Sequence, residues 1–237
     1  MIRGYAQKEI AIGKEKKMDC SSSRNCTTYL GALLALAMLA TSGCVHSILA
    51  TGIYLWQGGN VVPAQCDALE DQRVVVVCRP PSSNEYRHAG AARSIGKRVS
   101  QKLTNVPGIE IVSHAEVDNW VDEQDWNNFK ELGRAVKASR VVYIELDNFD
   151  LHKGATLYQG DAEVNVKVYD MANPSEPIYE SNIGQILFPR NSGIPAADKP
   201  VQQFQRQFVE VVSEQIAIHF YKHNPNASFA LDAVANE

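Results

Sequence analysis

The sequence predicts an α/β fold, leaning towards α+β, with a mixed sheet of about five strands covered by helices. In the first half, strand-like runs alternate with helical periodicity, which indicates parallel strand–helix units. In the second half, apolar and polar residues alternate over long runs, which indicates an antiparallel meander. A C-terminal amphipathic helix follows the meander and is expected to cover the sheet.

The first strand is predicted from the β-branched run over residues 73–78, which is typical of a strand buried on both faces of a sheet. The run ends at Pro80, because proline cannot donate a hydrogen bond to a strand ladder. Ser82 and Glu85 have the spacing of a capping box, so a helix is expected from there to about Thr104. Apolar residues at helical spacing form its buried face, namely Ala92, Ile95, Val99 and Leu103.

A second strand–helix unit follows the turn at residues 105–108. A short strand is predicted over residues 109–112, and the capping-box spacing of Ser113 and Glu116 opens the next helix. That helix carries apolar or aromatic residues on one face, namely Val117, Trp120 and Val121. A further helix over about residues 126–137 is expected to bury Phe129, Leu132 and Val136.

Three antiparallel strands are predicted next, over residues 140–146 with an extension towards 151, residues 157–169 and residues 178–188. In the middle strand, small or branched apolar residues alternate with polar ones, namely Ala162, Val164, Val166 and Val168. A loop over residues 189–200 leads to the last helix. Its apolar face comprises Val201, Phe204, Phe208, Val211, Val212, Ile216 and Phe220.

The N-terminal region has the organisation of an export signal. An uncharged apolar run over residues 29–40 follows Arg24, and it is shorter than the roughly 20 residues that a membrane-spanning helix needs. Residues 41–44, Thr-Ser-Gly-Cys, resemble the lipobox that is cut before a diacylglyceryl-cysteine, although Thr41 stands where the pattern usually has a leucine-like residue. The alternative is an uncleaved membrane anchor that continues to Trp56.

These features predict four regions. Residues 1–43 form a signal peptide that starts at Met1 or Met18 and is cleaved between Gly43 and Cys44. Residues 44–72 contain the lipidated Cys44 and a membrane-proximal tether, residues 73–223 form a single domain, and residues 224–237 form a disordered tail. The lipid on Cys44 would hold the domain on the periplasmic face of a membrane, with the outer membrane favoured over the inner one.

Charge and cysteine content restrict the expected partners. Residues 1–43 contain six of the 23 basic and three of the 27 acidic residues, which leaves 17 and 24 and a net charge of −7 in the mature chain. This balance argues against a nucleic-acid partner. Cys66 and Cys78 remain, and either a disulfide or two separate thiols would fit the sequence.

The strongest local charge pattern lies on the first helix. It carries five basic residues and has no acidic residue after Glu85; the basic residues are Arg87, Arg93, Lys97, Arg98 and Lys102. Such a face is a candidate surface for anionic lipid headgroups, a cell-wall polymer or an acidic protein. The alternative is a solvated helix face whose charge is neutralised by nearby acidic residues.

No pattern in the sequence identifies catalytic chemistry. The first strand-to-helix turn lacks the glycines of a phosphate-binding loop, and the chain has no Gly-x-Ser-x-Gly motif. His219 and His223 could chelate a metal from one helix face, and four carboxylates could form catalytic pairs, namely Glu110, Glu145, Asp147 and Asp150. Surface histidines and alternating polar strand positions explain both patterns better, so we expect no catalytic residue, metal or cofactor.

The order of the elements resembles a known group of domains. Residues 137–145 (Lys-Ala-Ser-Arg-Val-Val-Tyr-Ile-Glu) and the turn at residues 168–170 (Val-Tyr-Asp) belong to a pattern over about residues 72–222. This pattern is similar to the periplasmic lipoprotein domains grouped with CsgG, LpoB and the TolB amino-terminal domain. The resemblance implies a non-enzymatic binding or assembly module of the cell envelope, without the membrane-spanning hairpins of CsgG. A metal-dependent or carboxylate-based hydrolase and a structural envelope protein without a specific partner are the alternatives.

Overall fold

The computed structural model describes residues 61–82, 85–124 and 128–225. Contacts divide the chain into two units, Met1–Gln57 and Gly58–Glu237, and the description concerns the second. The predicted signal peptide, the lipidation site at Cys44 and most of the predicted tail lie outside the described residues.

The described residues form a mixed six-stranded sheet with four helices. The strands are β1 (Gln72–Arg79), β2 (Ile109–Ile111), β3 (Arg140–Lys153), β4 (Leu157–Asp170), β5 (Pro177–Phe188) and β6 (Ile194–Pro195). The helices are α1 (Glu85–Thr104), α2 (His114–Glu123), α3 (Phe129–Ala135) and α4 (Val201–Ala217). The sheet order is β2-β1-β3-β4-β5, and β6 pairs with β4.

Strand directions confirm the predicted fold class. Strand β1 pairs in parallel with β2 and β3, and β3, β4 and β5 form an antiparallel meander. The parallel half is buried on both faces: Val74 and Val76 belong to the core beneath α1 and α4, whereas Val75 and Val77 belong to a second core with residues of α2 and α3. The continuous β-branched run of β1 therefore reflects a strand with helices on both sides.

The core beneath α4 is rich in aromatic rings. Phe208 is fully buried, and its ring centroid lies 5.2 Å from that of Phe149 and 6.4 Å from that of Phe188. Gly160 on β4 lies directly beneath Phe208, since a Cβ atom added to this glycine would lie 2.5 Å from the ring. The absence of a side chain at residue 160 therefore lets α4 approach the sheet closely.

The capping of α2 and the C-terminal end of α3 differ from the prediction. Ser113 precedes α2 but makes no side-chain capping hydrogen bond; its backbone carbonyl accepts from the N–H of Glu116 at 3.0 Å instead, so the predicted capping box is wrong here. Helix α3 ends at Ala135 because Lys137 adopts φ +54° and the N–H of Ala138 donates to the carbonyl of Gly133 at 2.9 Å. Trp126, where this helix was expected to begin, lies outside the described residues.

The segment before β1, which the sequence assigns to the tether, packs on the domain. Cys66 and Leu69 are buried, and the N–H groups of Gln65 and Cys66 donate to the carbonyl of His219 at 2.8 and 3.0 Å. Val62 forms an isolated antiparallel bridge with His223. Residues 61–71 are therefore held against the chain that follows α4.

Candidate functional site

The five basic residues of α1 do not form one free surface. Arg93 pairs with Asp122 of α2, and Arg98 Nε lies 2.9 Å from Glu210 Oε2 of α4. Lys102 Nζ donates to Glu210 Oε1 at 2.7 Å and to Glu214 Oε2 at 2.6 Å. Nearby carboxylates therefore neutralise three of the five basic residues, namely Arg93, Arg98 and Lys102. This agrees with the alternative that the sequence left open, a helix face whose charge is neutralised by nearby acidic residues.

The contacts of Lys102 fasten the C-terminal part of α1 to α4. Burial alone would lower the pKa of Lys102, but its hydrogen bonds with Glu210 and Glu214 outweigh burial and raise this pKa above its ordinary value. Tyr221 donates to Glu214 Oε1 at 2.9 Å, and burial raises the pKa of its hydroxyl together with this contact. Lys102 is thus part of an interhelical ion-pair network, and its raised pKa keeps its ammonium group protonated at neutral pH.

A polar groove opens between α1 and α4, with a volume of about 560 Å³. Its lining contains three cations, four uncharged polar residues and one apolar residue: Ser94, Lys97, Arg98, Gln101, Gln202, Gln205, Arg206 and Val209. No acidic residue belongs to this lining. Among the described residues, no carboxylate lies within ion-pair distance of Lys97 or Arg206.

A smaller hollow of about 220 Å³ adjoins the groove. Arg87, His88 and Ala91 of α1 line it together with residues 148–152 of β3 and Gln205 of α4. Because Gln205 also lines the groove, the two cavities are adjacent. Burial and the neighbouring Arg87 lower the pKa of His88, and its ring centroid lies 5.8 Å from that of the buried Phe149.

Two of the four carboxylates that the sequence singled out lie together: Glu145 and Asp147 are 3.9 and 3.8 Å from Nη2 of Arg79. Glu110 on β2 pairs with Arg73, and Glu145 Oε2 lies 2.8 Å from Lys167 Nζ. Asp147 accepts a hydrogen bond from the amide of Asn165 at 2.7 Å, whereas Asp150 caps the N–H groups of Leu151 and His152. Each carboxylate therefore has a local structural partner.

The candidate metal-binding pair, His219 and His223, does not share a helix face, because α4 ends at Ala217. His219 is buried, and its Nδ1 lies 2.8 Å from the hydroxyl of Tyr179. Burial lowers the pKa of His219, and the nearby His223 contributes in the same direction. Both histidines connect the C-terminal segment to residues 61–66. In the described ranges, no three His, Cys, Asp or Glu side chains cluster in a way that could hold a metal ion.

Cys66 and Cys78 are both buried free thiols. Burial raises the pKa of each thiol, so both stay protonated at neutral pH. Of the two arrangements that the sequence left open, the structure contains two separate thiols.

The sequence alone does not identify the residues that α4 contributes to the groove. Gln202, Gln205 and Arg206 surround the buried Phe204, and the amphipathic pattern predicts that they are exposed. It does not predict that they face the basic side of α1, because that depends on how two distant helices pack. The run of polar residues at 202–207, broken only by Phe204, is the one sequence signal that could have indicated them.

No protein-family model matches this chain, and no curated protein matches it. Among solved structures, the PelC dodecamer from Paraburkholderia phytofirmans is similar over 69% of this chain and 97% of that chain, at 12% identity and a TM-score of 0.41. Lipoprotein GNA1162 from Neisseria meningitidis is similar over 61% of this chain and 97% of that chain, at 13% identity and a TM-score of 0.38. Both TM-scores are below 0.5, so neither likeness supports a conclusion about this chain.

The resemblance to the CsgG, LpoB and TolB amino-terminal group therefore stays a prediction. Within residues 61–82, 85–124 and 128–225, no helix is both long enough and apolar enough to cross a bilayer.

Proposed function

We propose that the protein is a non-enzymatic lipoprotein of the bacterial cell envelope that binds an anionic partner in the groove between α1 and α4. The observation that carries this proposal is the lining of the groove, which contains three cations and no acidic residue. Arg98 is paired with Glu210 outside this lining, so Lys97 and Arg206 supply the charge that is available to a ligand. The mature chain as a whole has an excess of acidic residues. The groove therefore concentrates positive charge locally in a chain whose net charge is negative.

The interhelical contacts support a preformed site. Arg98 is oriented by Glu210, and Lys102 fixes α1 to α4 below the groove through Glu210 and Glu214. Lys97 and Arg206 remain available to a ligand on opposite walls of the groove. A site held in place in this way loses little conformational entropy when a ligand binds.

Lipidation of Cys44 would limit where the groove can operate. Sixteen residues lie between Cys44 and Val61, the first described residue. A fully extended chain of this length spans at most about 55 Å. The proposed anchor would thus keep the domain close to one membrane surface, within reach of envelope polymers and other membrane-associated components.

Site-specific photo-crosslinking in living cells tests this proposal. Benzoylphenylalanine at Gln202, which lines the groove, is expected to give a discrete covalent adduct. The same residue at Gln203 is the matched control, because Gln203 is an exposed glutamine on the same helix that does not line the groove. Adding Lys97→Gln and Arg206→Gln to the Gln202 variant is expected to remove the adduct at equal protein level.

The proposal fails if position 202 gives no adduct or if position 203 gives the same adduct with equal yield. It also fails if the adduct persists in the variant without the two cations, since the groove would then not select its partner by charge.

A further inference from the structure

We infer that the ligand of this groove is an acidic polysaccharide chain that lies along α1 and occupies both the groove and the adjoining hollow. This inference rests on the proposed function and names the class of ligand for the same site. Its basis is that Gln205 lines both cavities, which places Arg87 of the hollow and Gln101 of the groove along one track.

The length of the track favours a chain over a compact anion. Arg87 and Gln101 are 14 residues apart on α1, a distance of about 21 Å at 1.5 Å per residue. Cations lie towards both ends, with Arg87 in the hollow and with Lys97 and Arg98 in the groove. The hollow also contains one carboxylate, Asp150, whose Oδ1 accepts from the N–H groups of Leu151 and His152 at 2.7 and 3.1 Å. A single small anion could contact only one of these cationic positions, whereas a linear polyanion contacts both at once and gains from their combined effect.

The uncharged residues of the groove favour hydroxyl groups beside the charges. Gln202 and Gln205 each carry two donor hydrogens and an acceptor oxygen. The Oε1 atom of Gln101 already accepts from Arg98 at 3.0 Å, and the Ser94 hydroxyl already donates to the carbonyl of Gly90 at 2.8 Å, so Gln101 offers a ligand its amide donors and Ser94 an acceptor. Sugar hydroxyls can satisfy both kinds of group. A polyphosphate offers acceptors only, so it would leave the amide oxygens of Gln202 and Gln205 without a donor when it displaces water.

An exposed aromatic residue, Tyr86, directly precedes Arg87 in α1 and lines neither cavity. Tyr86 is 102% exposed relative to its reference value, and it is the most exposed large hydrophobic residue of the described chain. Its ring offers a flat apolar surface and its hydroxyl a polar edge, a combination that suits contact with one face of a sugar ring. A contact with Tyr86 would therefore distinguish a sugar ligand from a polyanion that binds by charge alone.

The shape of the site argues against a lipid bilayer as its ligand. The cations lie in a concave groove between two helices, and Val209 is the one apolar residue of its lining. A helix that binds a bilayer surface presents a broad apolar face to the acyl boundary, with basic residues beside it. A planar array of headgroups could not reach into the groove as a single chain can.

Binding of oligogalacturonates to the detergent-solubilised full-length protein tests the inference, because each sugar unit carries one carboxylate and free hydroxyls. At equal carboxylate concentration, an eight-unit chain is expected to bind at least about tenfold more tightly than the single sugar acid. Arg206→Gln is expected to weaken binding of the eight-unit chain by about tenfold. Arg134→Gln is the matched control, because Arg134 is an exposed arginine on α3, whose buried residues belong to the other core.

Tyr86→Ala separates a sugar ligand from other polyanions. It is expected to weaken binding of the eight-unit chain severalfold while leaving binding of a polyphosphate of equal charge unchanged. Circular dichroism and the urea midpoint of each variant establish that the fold is intact; Arg206 and Tyr86 are exposed, so both substitutions are expected to preserve it.

The inference is overturned if the single sugar acid binds as tightly as the eight-unit chain, if polyphosphate binds more tightly than the eight-unit chain, or if anionic phospholipid vesicles displace the chain completely. Failure of these assays with an intact crosslink at position 202 would reject the polysaccharide and leave the proposed function standing. Loss of that crosslink as well would reject both.

Discussion

Substitution of Cys44 by alanine is expected to abolish fatty-acid attachment and to block conversion of the precursor to the mature chain. The thiol is the group that would be alkylated, and the lipoprotein signal peptidase implied by the lipobox resemblance cuts next to the modified cysteine. In cells that are fed an alkyne-labelled fatty acid, the wild-type protein is expected to carry label and the Cys44→Ala protein to carry none. An immunoblot of the same samples follows the size of the chain.

Cys66→Ala provides the matched control for this experiment. Cys66 is buried in the folded domain, so it is not accessible for acylation, and its replacement is expected to preserve labelling and processing. If the Cys44→Ala protein is labelled and processed as the wild type is, the lipid is not on Cys44 and the predicted anchor is wrong.

The contact between Gly160 and Phe208 is expected to control the stability of the domain. Phe208→Ala removes a fully buried ring and is expected to lower the free energy of unfolding by about 3–5 kcal/mol. Gly160→Ala places a methyl group within 2.5 Å of that ring, and overpacking of this kind costs about 1–3 kcal/mol. Urea denaturation followed by circular dichroism measures both values.

The double variant tests whether the two effects have the same origin. Once Phe208 is alanine, the methyl group at position 160 no longer meets the ring. The cost of Gly160→Ala is therefore expected to fall to a small fraction of its value in the wild type, a coupling that double-mutant cycles detect. Additive losses would show that Gly160 is required for another reason.

The sequence predicted the strands because their burial follows from local pattern. The centre of strand β1 consists of four consecutive valines and a cysteine, and in β4 the four apolar residues of the alternating run are all fully buried. The continuous apolar run of β1 is typical of a strand with helices on both faces of its sheet, and the alternating run of β4 is typical of a strand with one face exposed to solvent. These two patterns therefore predict the parallel half and the antiparallel half of the sheet.

Tertiary contacts explain what the sequence could not predict about the candidate site. The basic pattern on α1 is local, but the partners of Arg93 and Lys102 lie on α2 and α4, up to 112 residues away. Which cations stay available therefore depends on how these helices pack. Arg206 illustrates the same limit, because its place opposite Lys97 becomes apparent only when α4 lies beside α1.

The N-terminal boundary of the domain depends on contacts that the sequence did not predict. The sequence assigns residues 61–71 to a tether, yet Leu69 is almost completely buried and Val62 pairs with His223. Backbone hydrogen bonds to the carbonyl of His219 hold this segment, and such bonds do not depend on residue type. Residues 61–71 are thus held against the domain, whereas the sequence assigns them to the tether.

The mass of the mature N-terminal peptide tests the central claim most directly, because the proposed export and lipid attachment would place the groove among envelope polymers. The protein purified from its native membranes is expected to lack residues 1–43 and to begin at Cys44 with a diacylglyceryl group on its sulfur. A chain that retains residues 1–43, or one that begins at Cys44 with a free thiol, would contradict the account.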